Sequence, residues 1–272
     1  MSFGFIGAGN MGGAILRGAL AAKVLEGGST FVCGRDAEKA KRIASELGCN
    51  ACTTVEELAR KCDCIIVGVK PKDMDGVLAE VRNASTACAL SAKLVVSMAA
   101  GIKISHIEEA LGVDAKVVRI MPNTPAMVGA AMTSVSRNSF VTDDEMATVM
   151  KIFNAIGMAV EVPEDMIHTV IGVSGSSPAY TYLYIDALIK EAVKEGMDEK
   201  QARIFASQAV IGAAKMVLES DEDPQILCKN VCSPGGTTIE AVTVLKDGGF
   251  EELVMKAFKA CTDKSKLMSG EK

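Results

Sequence analysis

A parallel sheet covered by helices over the first 160 or so residues, followed by helices alone, is the fold class the sequence predicts, and three observations predict it. A short apolar run at Phe3–Ile6 feeds a G-x-G-x-x-G turn at Gly7–Gly12 and then a helical pattern through Ile15, Leu16 and Leu20. Up to Val162, short apolar runs alternate with helical segments, as strands buried on both faces between crossover helices are written. Beyond Val162 and Pro163 only helical periodicity remains. The expected division is an α/β part over 1–162 and an all-helical part over 163–272.

The strand at 3–6 and its glycine turn make the start of a Rossmann-type parallel sheet. Gly7 permits the tight turn, Gly9 lets a pyrophosphate reach the backbone, and Gly12 lets helix and strand close together. Asn10 and Met11 begin the helix whose N–H groups would receive the phosphates. The second strand, 30–33, should end at the group that reads the adenosine ribose, and the chain offers Gly34, Arg35 and Asp36 there. With no acid at the strand tip and an arginine just beyond it, NADPH is the expected cofactor, with NADH possible. A solvated loop arginine is the plainer alternative. Asp36 reads as the N-cap of a helix over 37–47.

Strands at 64–69, 94–98 and 116–120 exit into Val69-Lys70-Pro71, Met98-Ala99-Ala100-Gly101 and Met121-Pro122-Asn123-Thr124-Pro125. Ligands of open α/β sheets gather beyond the carboxyl ends of the strands. Ala99 and Ala100 are small enough for a flat ring to approach, and Asn123 and Thr124 carry groups suited to a nicotinamide carboxamide. The alternative is that prolines end the strands and small residues pack under loops. Two more strands are expected at 131–136 and 158–162.

In the helical part, 164–173 begins one helix, and Ser176-Ser177-Pro178 starts or kinks a second that runs through Tyr182, Ile185, Leu188 and Val193. Asp198 with Gln201 opens a third by a capping box, to about Leu218, and Asp223-Pro224 opens a fourth. The third carries Ile204, Phe205, Val210, Ile211 and Val217 and is apolar almost all round, so a second copy of the chain is expected against it. The last signal is Ser233-Pro234-Gly235-Gly236-Thr237-Thr238-Ile239-Glu240. Thr237 and Glu240 fit a capping box, with Thr237 as N-cap of a helix that stops at Gly248 and Gly249. Such a helix start presents unpaired N–H groups to an anion, a carboxylate or a phosphate. A Pro-Gly turn between two helices is the alternative.

Composition excludes several classes. A net charge of −5 over 272 residues without a basic run argues against nucleic acid. No apolar stretch approaches the ~20 residues of a membrane span, and no signal-like segment stands at the start, so a cytoplasmic protein is expected. Nine cysteines read as reduced and mostly buried. Cys49-x-x-Cys52 and Cys62-x-Cys64 resemble zinc spacing, but Cys64 opens an apolar strand, and no metal is expected. His168 reads as a packed or capping residue and His106 as part of a polar helix face.

Taken in order, Phe5–Gly12, Val69-Lys70-Pro71, Met121–Pro125, Ser174–Tyr180 and above all Ser233–Ile239 resemble the pyrroline-5-carboxylate reductase family over nearly the whole chain. The resemblance implies an N-terminal Rossmann domain joined to a helical dimerisation domain, dimers that assemble into decamers, and reduction of L-1-pyrroline-5-carboxylate by NAD(P)H to L-proline. It also implies that the Thr238 hydroxyl bonds the ring nitrogen. The substrate carboxylate is then assigned to the Ser233 hydroxyl and the N–H groups of Gly236 and Thr237, with Gly235 shaping the loop. A protonated cyclic imine is already electrophilic, so the protein has only to position two reactants. Two departures stand out: Ser177 where the family usually has glycine, and His168 where it often has an acid. A β-hydroxyacid dehydrogenase of similar build would need a lysine near Gly172–Pro178, and none occurs there before Lys190. A non-catalytic NADP(H)-binding module would have no need of the Ser233–Thr238 loop.

Overall fold

The computed structural model describes residues 1–112 and 114–270. In chain order the elements are β1 (Phe3–Ile6), α1 (Asn10–Ala21), β2 (Thr30–Cys33), α2 (Ala37–Leu47), β3 (Asn50–Ala51), α3 (Val55–Lys61), β4 (Cys64–Val67), α4 (Met74–Asn83), α5 (Ala87–Ser91), β5 (Leu94–Ser97), α6 (Ile104–Leu111), β6 (Lys116–Met121), β7 (Ala131–Arg137), α7 (Asp143–Asn154) and β8 (Gly157–Glu161). Helices alone follow: α8 (Ile167–Val170), α9 (Ser177–Lys194), α10 (Glu199–Ser220), α11 (Pro224–Val231), α12 (Thr237–Asp247) and α13 (Phe250–Met268). Two compact units result, Met1–Ser176 with Cys261–Lys272, and Ser177–Ala260.

In the first unit the strands lie in the order β3-β2-β1-β4-β5-β6-β7-β8. From β3 to β6 every pairing is parallel. Consecutive residues of each strand serve opposite faces, as the two-residue period dictates. Phe5, Ile66, Val96 and Val118 pack with Ile15 and Leu16 of α1 and Phe153 of α7. Ile6, Ile65, Val95 and Val117 pack with Leu58 of α3, Leu78 of α4 and Ile107 of α6. Continuous apolar runs such as Cys64–Val67 are therefore needed rather than alternating ones.

The expectation of an all-parallel sheet requires one correction. β7 pairs antiparallel with β6, Val118 opposite Arg137 and Met121 opposite Ser134. Only nine residues separate the two strands, too few for the dozen-residue crossover that a parallel pairing requires. α7 provides such a crossover, and β8 runs parallel to β7. β3 is a two-residue strand beside β2 that the apolar pattern did not predict.

The segment expected to open the helical part is irregular: a 3-10 turn Glu164–Met166, then α8, then a π-helical turn Ile171–Gly175. It belongs to the first unit, as does the end of α13. Three contacts hold that end. Ser176 Oγ and Cys261 Sγ lie 3.0 Å apart, His168 Nδ1 and Ser265 Oγ are hydrogen-bonded at 2.8 Å, and Met268 lies against Gly101. Cys261, Ser265 and Met268 fall at i, i+4 and i+7, one face of the helix.

In the second unit Asp198 caps α10 through the N–H groups of Lys200 and Gln201, and Asp223 caps α11 through that of Gln225. Its only buried hydrophobic residues among those described are Ala202 and Ala206. The apolar face of α10 is open in the single chain, with Ile204 68% and Phe205 67% exposed.

Candidate active site

The glycine turn after β1 is shaped by what each glycine lacks. Gly7 has φ +90°, and a Cβ there would stand 3.0 Å from the backbone of Gly68 at the end of β4. A Cβ on Gly12 would come 2.6 Å from the Gly7 carbonyl, so helix and turn could not close. At Gly9 nothing lies within 4 Å of the Cβ position, leaving room for a ligand against the backbone. Gly7 N–H donates to Cys33 O and Gly68 N–H to Ile6 O, fixing the turn between β2 and β4. Gly9 caps α1 with no side-chain acceptor and no acid follows in the first turn. The N–H groups of Asn10, Met11 and Gly12 therefore lack acceptors within the helix, beside the point where strand order switches direction.

Next to this turn a cleft of about 200 Å³ is lined by Gly7, Gly9, Cys33, Gly34, Arg35, Asp36 and Lys39, among others. The Arg35 side chain is 83% exposed and lies 3.7 Å from Asp73, a weak surface pairing that leaves it able to turn to another anion. Asp36 Oδ1 accepts from Lys39 N–H and caps α2, as the sequence indicated. Lys39, one helical turn beyond Arg35, brings a second cation to the cleft that the motif-based reading missed. Its spacing from Arg35 was the available signal. Burial pushes the Cys33 thiol up to about 11, so at neutral pH it stays a neutral wall of the cleft.

The other strand tips lie along the same edge. Val69 Cγ1 comes within 3.2 Å of the Cβ position at Gly7, and Lys70 is the exposed cap of a 3-10 turn begun by Pro71. Ala99 is buried and donates its N–H to Ser97 Oγ at 3.3 Å, with Ala100 half-buried beside it. Asn123 has a structural occupation that the sequence did not reveal. Its Oδ1 accepts from Met132 N–H at 2.9 Å and its Nδ2 donates to Ser174 O at 3.0 Å, with the residue 8% exposed. Thr124 is exposed at the start of the next 3-10 turn.

The second unit holds the other glycine turn. α11 ends at Val231, and the chain passes through Ser233, Pro234 and Gly235 (φ +72°) into α12. The expected capping box does not form. Gly236, extended at φ −82° and ψ 166°, is the N-cap, no side chain caps α12, and Thr237 is its first residue. A Thr-x-x-Glu spacing is the same whether threonine is the cap or the next residue, so the spacing alone misplaced it by one. Gly236 N–H donates to Ser233 O at 3.0 Å and closes the turn, which removes it as the expected donor to a ligand. The uncapped donors are the N–H groups of Thr237, Thr238 and Ile239. Ser233 and Thr237 are exposed and Thr238 half-buried.

Elsewhere, Cys52, Cys62 and Cys64 are buried, and burial pushes the Cys62 thiol up to about 12. Among the described residues no group of three or more His, Cys, Asp or Glu could hold a metal ion, and no helix is long and apolar enough to cross a membrane.

Similarity to known proteins covers both units. A family model described as pyrroline-5-carboxylate reductase dimerisation matches residues 164–268, and one described as NADP oxidoreductase, coenzyme F420-dependent, matches residues 2–101. The chain is 47% identical over 266 residues to the pyrroline-5-carboxylate reductase of Escherichia coli K12, spanning 98% of this chain and 97% of that protein. Its fold is similar to the crystal structure of Plasmodium falciparum pyrroline carboxylate reductase with NADP bound, at 33% identity and a TM-score of 0.87 over 99% of this chain and 98% of that one. It is likewise similar to a pyrroline-5-carboxylate reductase from Coxiella burnetii, at 33% identity and a TM-score of 0.90 over 98% of each.

Proposed function

The chain belongs to the pyrroline-5-carboxylate reductase family, and on that premise we propose how its two glycine turns divide the reaction. The protein reduces L-1-pyrroline-5-carboxylate to L-proline with NADPH, the final step of proline biosynthesis. The first turn fits a dinucleotide: a Cβ at Gly12 would clash, the space at Gly9 is open, and three helix N–H groups have no internal acceptor. In this reading Gly7, Gly9, Asn10, Met11 and Gly12 receive the pyrophosphate, and Arg35, aided by Lys39, receives the adenosine phosphate. Val69, Lys70, Pro71, Ala99, Ala100 and Thr124 border the nicotinamide end, with Asn123 holding the loop through its side chain. The cofactor supplies the hydride.

The bare start of α12 carries the substrate assignment. An anion there meets the N–H groups of Thr237, Thr238 and Ile239 with no side chain competing, an arrangement worth about 0.3–2 kcal/mol to a carboxylate. Ser233 adds its hydroxyl, and Gly235 and Gly236 give the turn its shape. With the carboxylate fixed, the Thr238 hydroxyl lies one residue along the helix start, in reach of the ring nitrogen that bears the proton. Residues 1–162 then carry the cofactor part and 163–272 the substrate and dimerisation part, although 163–176 and 261–272 fold with the first unit. The open apolar face of α10 supports a homodimer, and the exposed apolar residues of α9 and α11–α13 support further association of dimers into a decamer. Nine free thiols fit the reducing cytoplasm.

The test is direct. Purified protein, NADPH and pyrroline-5-carboxylate should give loss of reduced-nicotinamide absorbance in step with proline, and Ser233→Ala should raise KM for the imine while leaving NADPH binding alone. An unchanged imine KM in that variant would remove the α12 start from the substrate site.

A further inference from the structure

Glu164 opens the 3-10 turn that follows β8, and a single one of its carboxylate oxygens ties two distant elements together. Oε1 accepts from the Arg119 guanidinium of β6 at 2.9 Å and from Ile104 N–H, the first residue of α6, at 2.8 Å. The Arg119 side chain is only 4% exposed, so its charge has left water and depends on this partner. The carboxylate cannot drift toward α6 or away from it without uncovering that buried cation.

Ile104 ends the loop that leaves β5 through Ala99, Ala100 and Gly101. That loop is pinned at two more places. Ser97 Oγ accepts Ala99 N–H at 3.3 Å, and Gly101, at φ +80°, lies so close to the last turn of α13 that a Cβ would stand 3.0 Å from the Met268 carbonyl. Strand below, helix end above and carboxylate beyond together set where Ala99 and Ala100 stand. The N-cap of α6, Lys103, has no side-chain cap bond, so Glu164 takes the place of a cap from sixty residues away.

We infer that Glu164 is a positioning residue for the cofactor: anchored on Arg119 and bonded to Ile104 N–H, it holds the Ala99–Gly101 loop at the height the nicotinamide end requires. This rests on the assignment of Ala99 and Ala100 to the cofactor site. Loss of the tether lets the loop relax, so NADPH binding weakens while the imine site and the hydride step, once the cofactor is bound, are unaffected.

Four variants separate this role from a brace that only stabilises the fold, each assayed as folded dimer with NADPH affinity from fluorescence titration alongside kcat and both KM values. Glu164→Ala removes both bonds and should raise Kd and KM for NADPH about tenfold, the size of one lost charged hydrogen bond, with imine KM unchanged. Glu164→Gln keeps an acceptor for Ile104 N–H but no charge opposite Arg119, and should bind NADPH near the wild-type level while melting earlier. Ile104→Pro removes the N–H and also trims a buried side chain, 5% exposed, so its melting temperature is recorded beside its NADPH affinity: the position is the first of the helix, where proline is accepted, and Lys103 before it is already extended at φ −82° and ψ 158°. It should reproduce the NADPH defect with the Arg119–Glu164 pair intact, which keeps the inference testable if Glu164→Ala does not fold. Wild-type NADPH affinity in folded Ile104→Pro, or a Glu164→Ala variant that loses only thermal stability, overturns it. Ala100→Leu is the control: if it weakens NADPH while the other variants do not, only the role of Glu164 fails, and if it leaves NADPH untouched the loop is not a cofactor element and the inference goes with that assignment.

Discussion

The two units solve the burial problem in opposite ways. The first covers both faces of its sheet with its own helices, and side chains such as Phe5, Ile65, Leu78 and Phe153 are sealed within one chain. The second is five helices' worth of chain that buries two alanines, while Ile204, Phe205, Leu218, Val244 and Leu253 face outward. At ~25 cal/mol per Å² of apolar surface, a helix of this composition gains its stability only when something covers it. The difference teaches that the first unit is stabilised within the chain and the second by association, so the α12 turn depends on assembly in a way the α1 turn does not.

Phe205→Glu places a charge on the open face of α10 and should break this contrast most severely. Light scattering should show monomer, and turnover should fall by about a hundredfold or more, because burying an unpaired charge costs several kcal/mol. A monomer that retained full activity would mean that the second unit is competent alone. NADPH binding, housed in the self-contained unit, should survive the same substitution.

Thr238→Ala tests the α12 turn without touching assembly. Loss of one hydroxyl contact to the reacting ring should lower kcat by about 10–100-fold, with NADPH affinity unchanged by fluorescence titration. Equal losses in both would mark the residue as structural.

Arg35→Ala sharpens the comparison from the other side. NADPH affinity should drop about tenfold and NADH affinity little, since only the former has a phosphate to lose there. Unchanged selectivity would move the phosphate contact to Lys39 or elsewhere.

The smallest effect expected is an acid one. Glu57, which accepts from Lys61 and from Thr53, has its carboxyl held down at about 2, first by the Lys61 ammonium. A depressed carboxyl contributes stability above its unfolded pKa of about 4.3, and that contribution fades as pH falls toward 2. Glu57→Gln should lower the melting temperature slightly at pH 7, with the gap to wild type closing between pH 5 and about 2. An acid limb identical to wild type would show the pair to be screened out by solvent.

Much of this was legible in the chain because it is local. Apolar runs marked β1, β2, β4, β5 and β6 within one or two residues, Asp36, Asp198 and Asp223 marked helix starts, and the glycine turns declared themselves by spacing. What stayed hidden depends on partners far away in sequence. The antiparallel run of β7 is decided by which strand it meets, not by its own composition. Asn123 carries a suitable amide for a ligand, but Met132 and Ser174 engage both ends of it. Glu164 looks like any charged residue after a proline until Arg119 and Ile104 are placed beside it. Lys39 was within reach of sequence reasoning, being one turn from Arg35, and was passed over because the strand tip drew attention to the residue immediately beyond.

The last helix carries a consequence for how the molecule is made. Residues 261–268 of α13 belong to the first unit, where Ser265 bonds His168 and Met268 closes on Gly101, yet all of Ser177–Ala260 is translated between. A chain emerging from the ribosome can lay down the sheet early, but its first unit stays incomplete until α13 has followed the second unit. The first unit thus closes only after the whole of the second has been made, and a nascent chain stalled before α13 would lack the helix end that packs against Gly101 and His168.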